Sequence, residues 1–257
     1  MLRLHHSRAS TASTIVRLVL AEKQLAYDSH LVDLHRGEQH TPEYRAIHPH
    51  GLVPALEHDG RVICESSVIA AYLDDAFPEP ALIPLAARAE VEAWRDRIAG
   101  DVHPATVTLT FALAFRRMLS QRPRDELDAY FARITEPDLR ERERAAVLYG
   151  LDAPDVPAAF AAHVRMIEAM DTALARGEYL AGERYSLADA AVTPYIVRNE
   201  MLGLSALWSQ RPRVVQWIAA MRARPSFDAA VTRVLTDADR ERLIVPPEES
   251  ARLFAAS

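Results

Sequence analysis

The sequence predicts a small α/β domain followed by an all-helical one, and three observations carry that prediction. Strand-like and helix-like segments alternate as β-α-β, connector, β-β-α through the first 80 residues. Beyond Pro84 every strand signal disappears and apolar residues recur at helical spacing. The chain has 257 residues, 49% of them hydrophobic and 26% charged, enough for one large or two modest cores. The boundaries drawn from these patterns are 1–80 and 87–257.

Leu2–His6 reads as a strand and runs into a polar stretch, Ser7 to Ser13, suited to a helix start. Ile15 to Lys23 carries apolar Ile15, Val16, Leu18, Val19 and Leu20 without a breaker, a helix. Ala26 to Leu34 alternates loosely as a second strand and completes a βαβ unit. His35 to His50, punctuated by Gly37, Pro42 and Pro49, is mostly loop. Two apolar runs, starting at Val53 and Arg61, flank His58-Asp-Gly60, a hairpin signal. Ser66-Ser67 is read as the cap of a helix from Val68 to Phe77.

Arg88 to Leu119 reads as one long helix with kink points at Gly100 and His103-Pro104. Helices follow over 125–133, 138–148, 160–176 and 214–224, and Ser186-Leu-Ala-Asp189 is a capping box that opens another toward Asn199. Arg140-Glu-Arg-Glu-Arg144 is expected to be an exposed, alternating-charge face.

Composition narrows the function classes. A net charge of −6 leaves no electrostatic footprint for nucleic acid. The apolar stretch Ala105 to Phe115 is about half of the ~20 residues a membrane span needs and reads as buried helix. One cysteine, Cys64, supports neither an intramolecular disulfide nor a CxxC pair. The N-terminus shows no leader pattern, so a cytoplasmic protein is the expectation. Ten histidines include His30, His35, His40, His48 and His50, but without metal-ligand spacing.

The motifs His48-Pro-His-Gly-Leu-Val-Pro54-Ala-Leu, Cys64-Glu65-Ser66, Ile69-Ala-Ala-Tyr72-Leu73 and Ser186-Leu-Ala-Asp189, in that order and spacing, resemble the signatures of glutathione S-transferases. That resemblance implies a thioredoxin-like N-terminal domain that binds glutathione and a helical-bundle C-terminal domain with a hydrophobic-substrate pocket. It implies a cis bond between Val53 and Pro54, with the Val53 backbone pairing to the cysteinyl part of glutathione. Ser66 and its N–H would hold the γ-glutamyl carboxylate, Glu65 the α-amino group, and His40 the glycyl carboxylate. Leu52 departs from the family pattern, where a Lys or Gln serves that carboxylate, so His40, Gln39 or water takes the role here. The family is commonly homodimeric, and its partners are glutathione and a hydrophobic electrophile, not nucleic acid or membrane.

Thiol activation requires a donor that stabilises a thiolate, since a free thiol of pKa near 8.5 is mostly protonated at neutral pH. A hydroxyl at the N-terminus of the first helix supplies both a hydrogen bond and the positive end of the helix dipole. No Tyr or Cys lies between Leu2 and Lys23, which leaves Ser7, Ser10, Thr11, Ser13 and Thr14. Alignment with Ser-using relatives selects Ser10 in one register and Ser13 in another, and both stand as candidates. Phe111, Phe115 and Met118 are candidates for the electrophile pocket or for core, and Trp94, Tyr130, Phe131 and Trp217 for core.

The expected reaction is thiolate attack on an electrophilic carbon. Chain length and the helical stretch around Glu136 to Asp155 resemble the bacterial β-etherase branch, in which glutathione displaces a phenoxide from an aryl ether. The alternative from another class is a non-catalytic binding or regulatory protein on the same fold. Retention of Val53-Pro54 and Glu65-Ser66 favours the enzyme.

Overall fold

The computed structural model describes residues 1–255, which divide into two compact units. The first comprises Met1–Asp96, Ala173–Pro194 and Gln216–Thr236. It contains a four-stranded sheet of order β2-β1-β3-β4, built from β1 (Leu2–His6), β2 (Asp28–Leu31), β3 (Ala55–His58) and β4 (Arg61–Cys64). β1 runs parallel to β2 and antiparallel to β3, and β4 pairs antiparallel with β3. The β1–β2 crossover is α1 (Thr11–Glu22), whose Ile15, Val16, Leu18, Val19 and Leu20 are all buried. Each such side chain contributes about 2 kcal/mol, so burial outweighs the modest helix propensity of the β-branched residues. The Asp59-Gly60 hairpin has positive φ at both central residues, as a type I′ turn requires.

Two boundaries differ from the sequence expectation. The third strand begins at Ala55 rather than Val53, because Pro54 has no N–H for the ladder and Ala55 is the first residue paired on both sides. The helix after β4 is α3 (Ser66–Ala76), and its cap is Glu65, not Ser66. Glu65 has φ +66°, so the chain turns through its backbone and Ser66 already sits in the first helical turn. A short α2 (Pro42–Arg45) lies in the connector. At the exit of α3, Lys23 Nζ lies 2.7 Å from Asp74 and donates to the carbonyls of Phe77 and Pro80 at 2.7 and 2.8 Å. The Asp74 carboxylate also accepts the N–H groups of Leu82 and Ile83. The Glu79–Pro80 bond within that clasp is cis.

The predicted long helix runs from Leu85 to Leu119, and 61% of its most apolar window is buried, as in a core helix. It comprises α4 (Arg88–Arg97), α5 (His103–Thr110) and α6 (Arg116–Leu119), joined by π-helical turns at Ile98–Val102 and Phe111–Phe115. The first of these wide turns sits where a kink was expected. It precedes Pro104, whose missing N–H and ring would conflict with regular α-helical bonding.

The second unit comprises Arg97–Thr172, Tyr195–Val215 and the described residues from Asp237 onward. Its helices include α7 (Arg124–Ala132), α8 (Pro137–Tyr149) and α9 (Val156–Ala173), then the later part of α10 (Leu187–Met201). After α11 (Pro212–Arg222) and α12 (Pro225–Phe227) come α13 (Asp237–Leu243) and α14 (Pro247–Ala255). The last two had no assignment from sequence. The charged run on α8 is not uniformly exposed. Glu143 shares a buried face with Ala146 and Val147, at the i+3 and i+4 positions, and burial pushes its carboxyl up to about 8.

A polar cluster lies inside this unit. His163 is fully buried, with Nε2 3.2 Å from Thr106 Oγ1 and Nδ1 3.0 Å from Asn199 Nδ2. The Thr106 hydroxyl donates to Val102 O and the Asn199 amide is a donor, so these partners assign the neutral Nε2–H tautomer. Burial above all lowers its pKa to about 4. The unfolded chain takes up this proton near pH 6.5 while the fold resists it until about pH 4, so stability is complete above 6.5 and lost as pH falls through that window. His163→Gln, which keeps one donor and one acceptor, is expected to flatten the thermal midpoint between pH 6.5 and 4. An unchanged acid slope in that variant would exclude His163 as the cause.

Candidate active site

Strand register gathers the candidate residues. His5 pairs with Ala55, and Ala55 pairs with Cys64. The segment leaving β1 (Ser7–Ser10), the one entering β3 (Val53–Pro54) and the one leaving β4 (Glu65–Ser66) therefore lie side by side at one end of the sheet. β2 is parallel to β1, with Leu31 beside His6, so the connector holding His40 starts at the same end.

At the β1–α1 loop the hydroxyls have distinct employments. Ser10 is the N-cap of α1, and its Oγ accepts the Ser13 N–H at 3.1 Å. It is partly exposed, and its hydroxyl proton is not used by that bond. Ser13 has no exposed surface, and its Oγ accepts the Ser7 N–H at 3.3 Å. The Thr14 hydroxyl, also buried, donates to Ser10 O at 2.9 Å. Of the two serines singled out from sequence, Ser10 is the one with surface to offer a ligand.

The Val53–Pro54 bond is cis. Val53 is half-buried and stands two residues before the paired strand. The loop ahead of it is held twice: the Tyr44 hydroxyl donates to Leu52 O at 2.7 Å, and Gly51 N–H donates to His48 O at 2.8 Å. The Leu52 side chain is exposed. His40 is half-buried, with Nε2 3.2 Å from the Gln39 side-chain amide. Gly51 has φ +64°, and a Cβ there would stand 2.7 Å from Gln39 O and 3.2 Å from His40 Nδ1. Gly51→Ala is thus expected to cost about 2 kcal/mol or more, from left-handed strain and a backbone collision. A thermal midpoint within a degree of wild type would refute that packing.

Glu65 is exposed and Ser66 half-exposed, and no side chain caps α3. The first-turn N–H groups and the positive dipole end of α3 are thus left without a competing side-chain acceptor from the cap, an arrangement that suits an anion. Glu65 also acts on buried His48, whose pKa burial lowers and the Glu65 charge partly restores. Positive φ at a non-glycine residue costs of order 1–3 kcal/mol and collects at ligand sites. Among the described residues no three His, Cys, Asp or Glu side chains form a metal-holding group.

Family models of the glutathione S-transferase N-terminal and C-terminal domains match residues 4–81 and 128–225. The chain belongs to the glutathione S-transferase family. Among its relatives in this family, a glutathione S-transferase from Arabidopsis thaliana is 30% identical over 232 residues, 88% of this chain and 93% of that one. A probable maleylacetoacetate isomerase from Vibrio cholerae is 29% identical over 234 residues, covering 89% and 94%. Protein LigF from Sphingobium sp. strain SYK-6 is 27% identical over 238 residues, covering 88% and 89%. The crystal structure of the β-etherase LigF from that strain aligns with a TM-score of 0.81 at 26% identity, over 89% of this chain and 98% of that one. A theta class glutathione S-transferase from Xanthomonas axonopodis pv. citri with glutathione bound aligns at 0.65 and 25% identity, over 90% and 96%. The thioredoxin-like domain and the helical domain expected from the motifs are those of this enzyme family.

Sequence reasoning passed over Tyr44, Gly51 and Arg17. For Arg17 a signal existed: a lone cation inside the apolar run Ile15 to Leu20 must be either exposed or fully partnered.

Proposed function

We propose that this glutathione S-transferase activates glutathione as a thiolate for attack on an electrophilic carbon of a hydrophobic small molecule, and that it cleaves β-aryl ethers. The observation that carries the first part is the convergence of Ser10, Val53 and Glu65–Ser66 at one end of the sheet. The Ser10 hydroxyl donates to the thiolate at the N-terminus of α1. The Val53 backbone pairs with the cysteinyl unit, Ser66 and the α3 N-terminus hold the γ-glutamyl carboxylate, Glu65 the α-amino group, and His40 with Gln39 the glycyl end. Ser13 supports the loop from within. Residues 1–80 form the glutathione-binding domain, and residues 87–257 carry the pocket for the electrophile, with Phe111, Phe115 and Met118 among its walls. The protein works as a cytoplasmic homodimer.

Similarity to LigF in sequence and in fold supports the ether substrate. The thiolate forms a C–S bond as the C–O bond breaks, and the electron pair leaves with phenoxide.

The deciding experiment is a pH titration of the ultraviolet thiolate absorbance of glutathione bound to the protein, beside a phenol-release assay on a β-aryl ether. A bound thiol pKa below about 8.5 with glutathione-dependent phenol release is the expected result. Binding without a shift overturns thiol activation and favours a binding protein. A shift without phenol release overturns the ether substrate alone. No binding overturns the glutathione site.

A further inference from the structure

Arg17 is among the largest fully buried side chains, 2% exposed on α1. Each of its five N–H groups has an acceptor. Nε donates to Ala230 O at 2.9 Å, Nη1 to Ser7 O at 3.0 Å and to His6 Nδ1 at 3.1 Å. Nη2 donates to Arg8 O at 3.0 Å and to Thr14 Oγ1 at 2.7 Å. No carboxylate is among these acceptors. Burying an arginine on neutral acceptors costs more than burying a methionine of similar reach. A role in packing alone therefore leaves the guanidinium unexplained.

The acceptors show what it does. Arg17 Nη2 donates to Thr14 Oγ1, whose own hydroxyl donates to Ser10 O. The Ser10 Oγ accepts the Ser13 N–H, the Ser13 Oγ accepts the Ser7 N–H, and Ser7 O returns to Arg17 Nη1. Five residues close a ring of hydrogen bonds with the guanidinium at one side and the Ser10 hydroxyl at the other. Every hydroxyl in the ring except that of Ser10 is buried.

We propose that Arg17 is a positioning residue for thiol activation: through Thr14 and the Ser7 carbonyl it fixes the Ser10 hydroxyl, and its charge, paired with no acid among its hydrogen-bond partners, biases that end of the sheet toward an anion. The proposal rests on the reading of Ser10 as the thiolate's donor. The titratable groups around Arg17 do not cancel the charge. His6 on β1 accepts from Arg17 through Nδ1, which leaves its Nε2 proton for Ser29 Oγ on β2 at 2.8 Å. Burial, then Arg17, lowers its pKa to about 3, so it is neutral at working pH. Tyr27, ahead of β2, is raised by burial and is likewise neutral. His30 on β2 and the Arg8 charge also bear on His6, and neither is an anion.

The test pairs Thr14→Val, which cuts the relay and keeps the charge and shape, with Thr14→Ser, which restores the hydroxyl, and with Arg17→Lys. Glutathione affinity is read by calorimetry and the bound thiol's pKa by its ultraviolet absorbance. Thr14→Val and Arg17→Lys are expected to raise the bound thiol pKa by about one unit, the equivalent of one hydrogen bond, with affinity within about threefold. Thr14→Ser is expected to return the pKa to the wild-type value. If Thr14→Val folds and binds glutathione with an unmoved thiol pKa, the positioning role is overturned while glutathione binding stands. If wild type itself fails to depress the thiol pKa, the reading beneath the proposal falls, and the proposal with it.

Discussion

Ser10→Ala is expected to lower kcat/KM at neutral pH roughly 10²-fold, the order seen when a donor to a reacting anion is removed. The loss has a characteristic pH dependence. A hydrogen bond to a charged group is worth about 1.5–3 kcal/mol, so the bound thiol's pKa is expected to rise by about one to two units. The acid limb of the rate profile, where rate rises as the thiol deprotonates, moves to higher pH with it, and the deficit shrinks once the solution itself deprotonates the thiol. A variant damaged only in its fold loses rate at every pH. Ser10 is also the cap of α1, so a loss of about 1 kcal/mol in stability accompanies the substitution. Ser13→Ala is expected to behave in the opposite sense: the partly buried Ser7 N–H loses its acceptor, at about 1 kcal/mol in stability, with a small effect on the thiol. Should Ser13→Ala shift the thiol pKa and Ser10→Ala leave it in place, Ser13 is the activating residue and the assignment above is wrong.

The largest loss of stability is expected at Asp189. Its carboxylate, fully buried in the first unit, accepts four hydrogen bonds. Oδ1 takes the Leu180 N–H at 3.0 Å and the Trp217 indole N–H at 2.8 Å. Oδ2 takes the Ser186 N–H at 2.9 Å and its hydroxyl at 3.1 Å. The Ser186 Oγ in turn accepts the Ala188 N–H at 3.2 Å, completing the reciprocal cap that Ser186-Leu-Ala-Asp189 predicts. Burial raises the acid's pKa and these four donors oppose the rise. Removing the carboxylate strands three N–H donors inside the protein, and each costs about 1–3 kcal/mol. Asp189→Ala is therefore expected to lose about 4 kcal/mol, a fall of roughly 10 °C in Tm for a chain of this size. Asp189→Asn keeps one acceptor oxygen and sets an amide N–H against a donor, so its loss is intermediate. A Tm for Asp189→Ala within about 3 °C of wild type would mean that the 180–217 segment does not depend on this carboxylate.

The order of strands and helices, the βαβ crossover, the Asp59-Gly60 hairpin and the cap at Ser186 were legible in the residues. Each depends on neighbours in sequence: apolar periodicity, a turn that needs positive φ, a carboxylate three residues from the serine it caps. The motif set around Val53-Pro54, Glu65-Ser66 and Ser186 to Asp189 was equally local, and it sufficed for the family. What local pattern could not carry was the division of labour among five hydroxyls in the β1–α1 loop. Ser7, Ser10, Thr11, Ser13 and Thr14 are chemically interchangeable in a string of letters. Only the way α1 packs decides which of them are buried: Ser13 and Thr14 turn inward to partner the backbone, while Ser7, Ser10 and Thr11 keep surface. The same holds for Arg17, whose acceptors lie up to 213 positions away along the chain, and for Glu143, which a charged run hides but the α8 packing face buries. Burial is a property of what packs against a residue, and only the assembled tertiary structure brings those partners together.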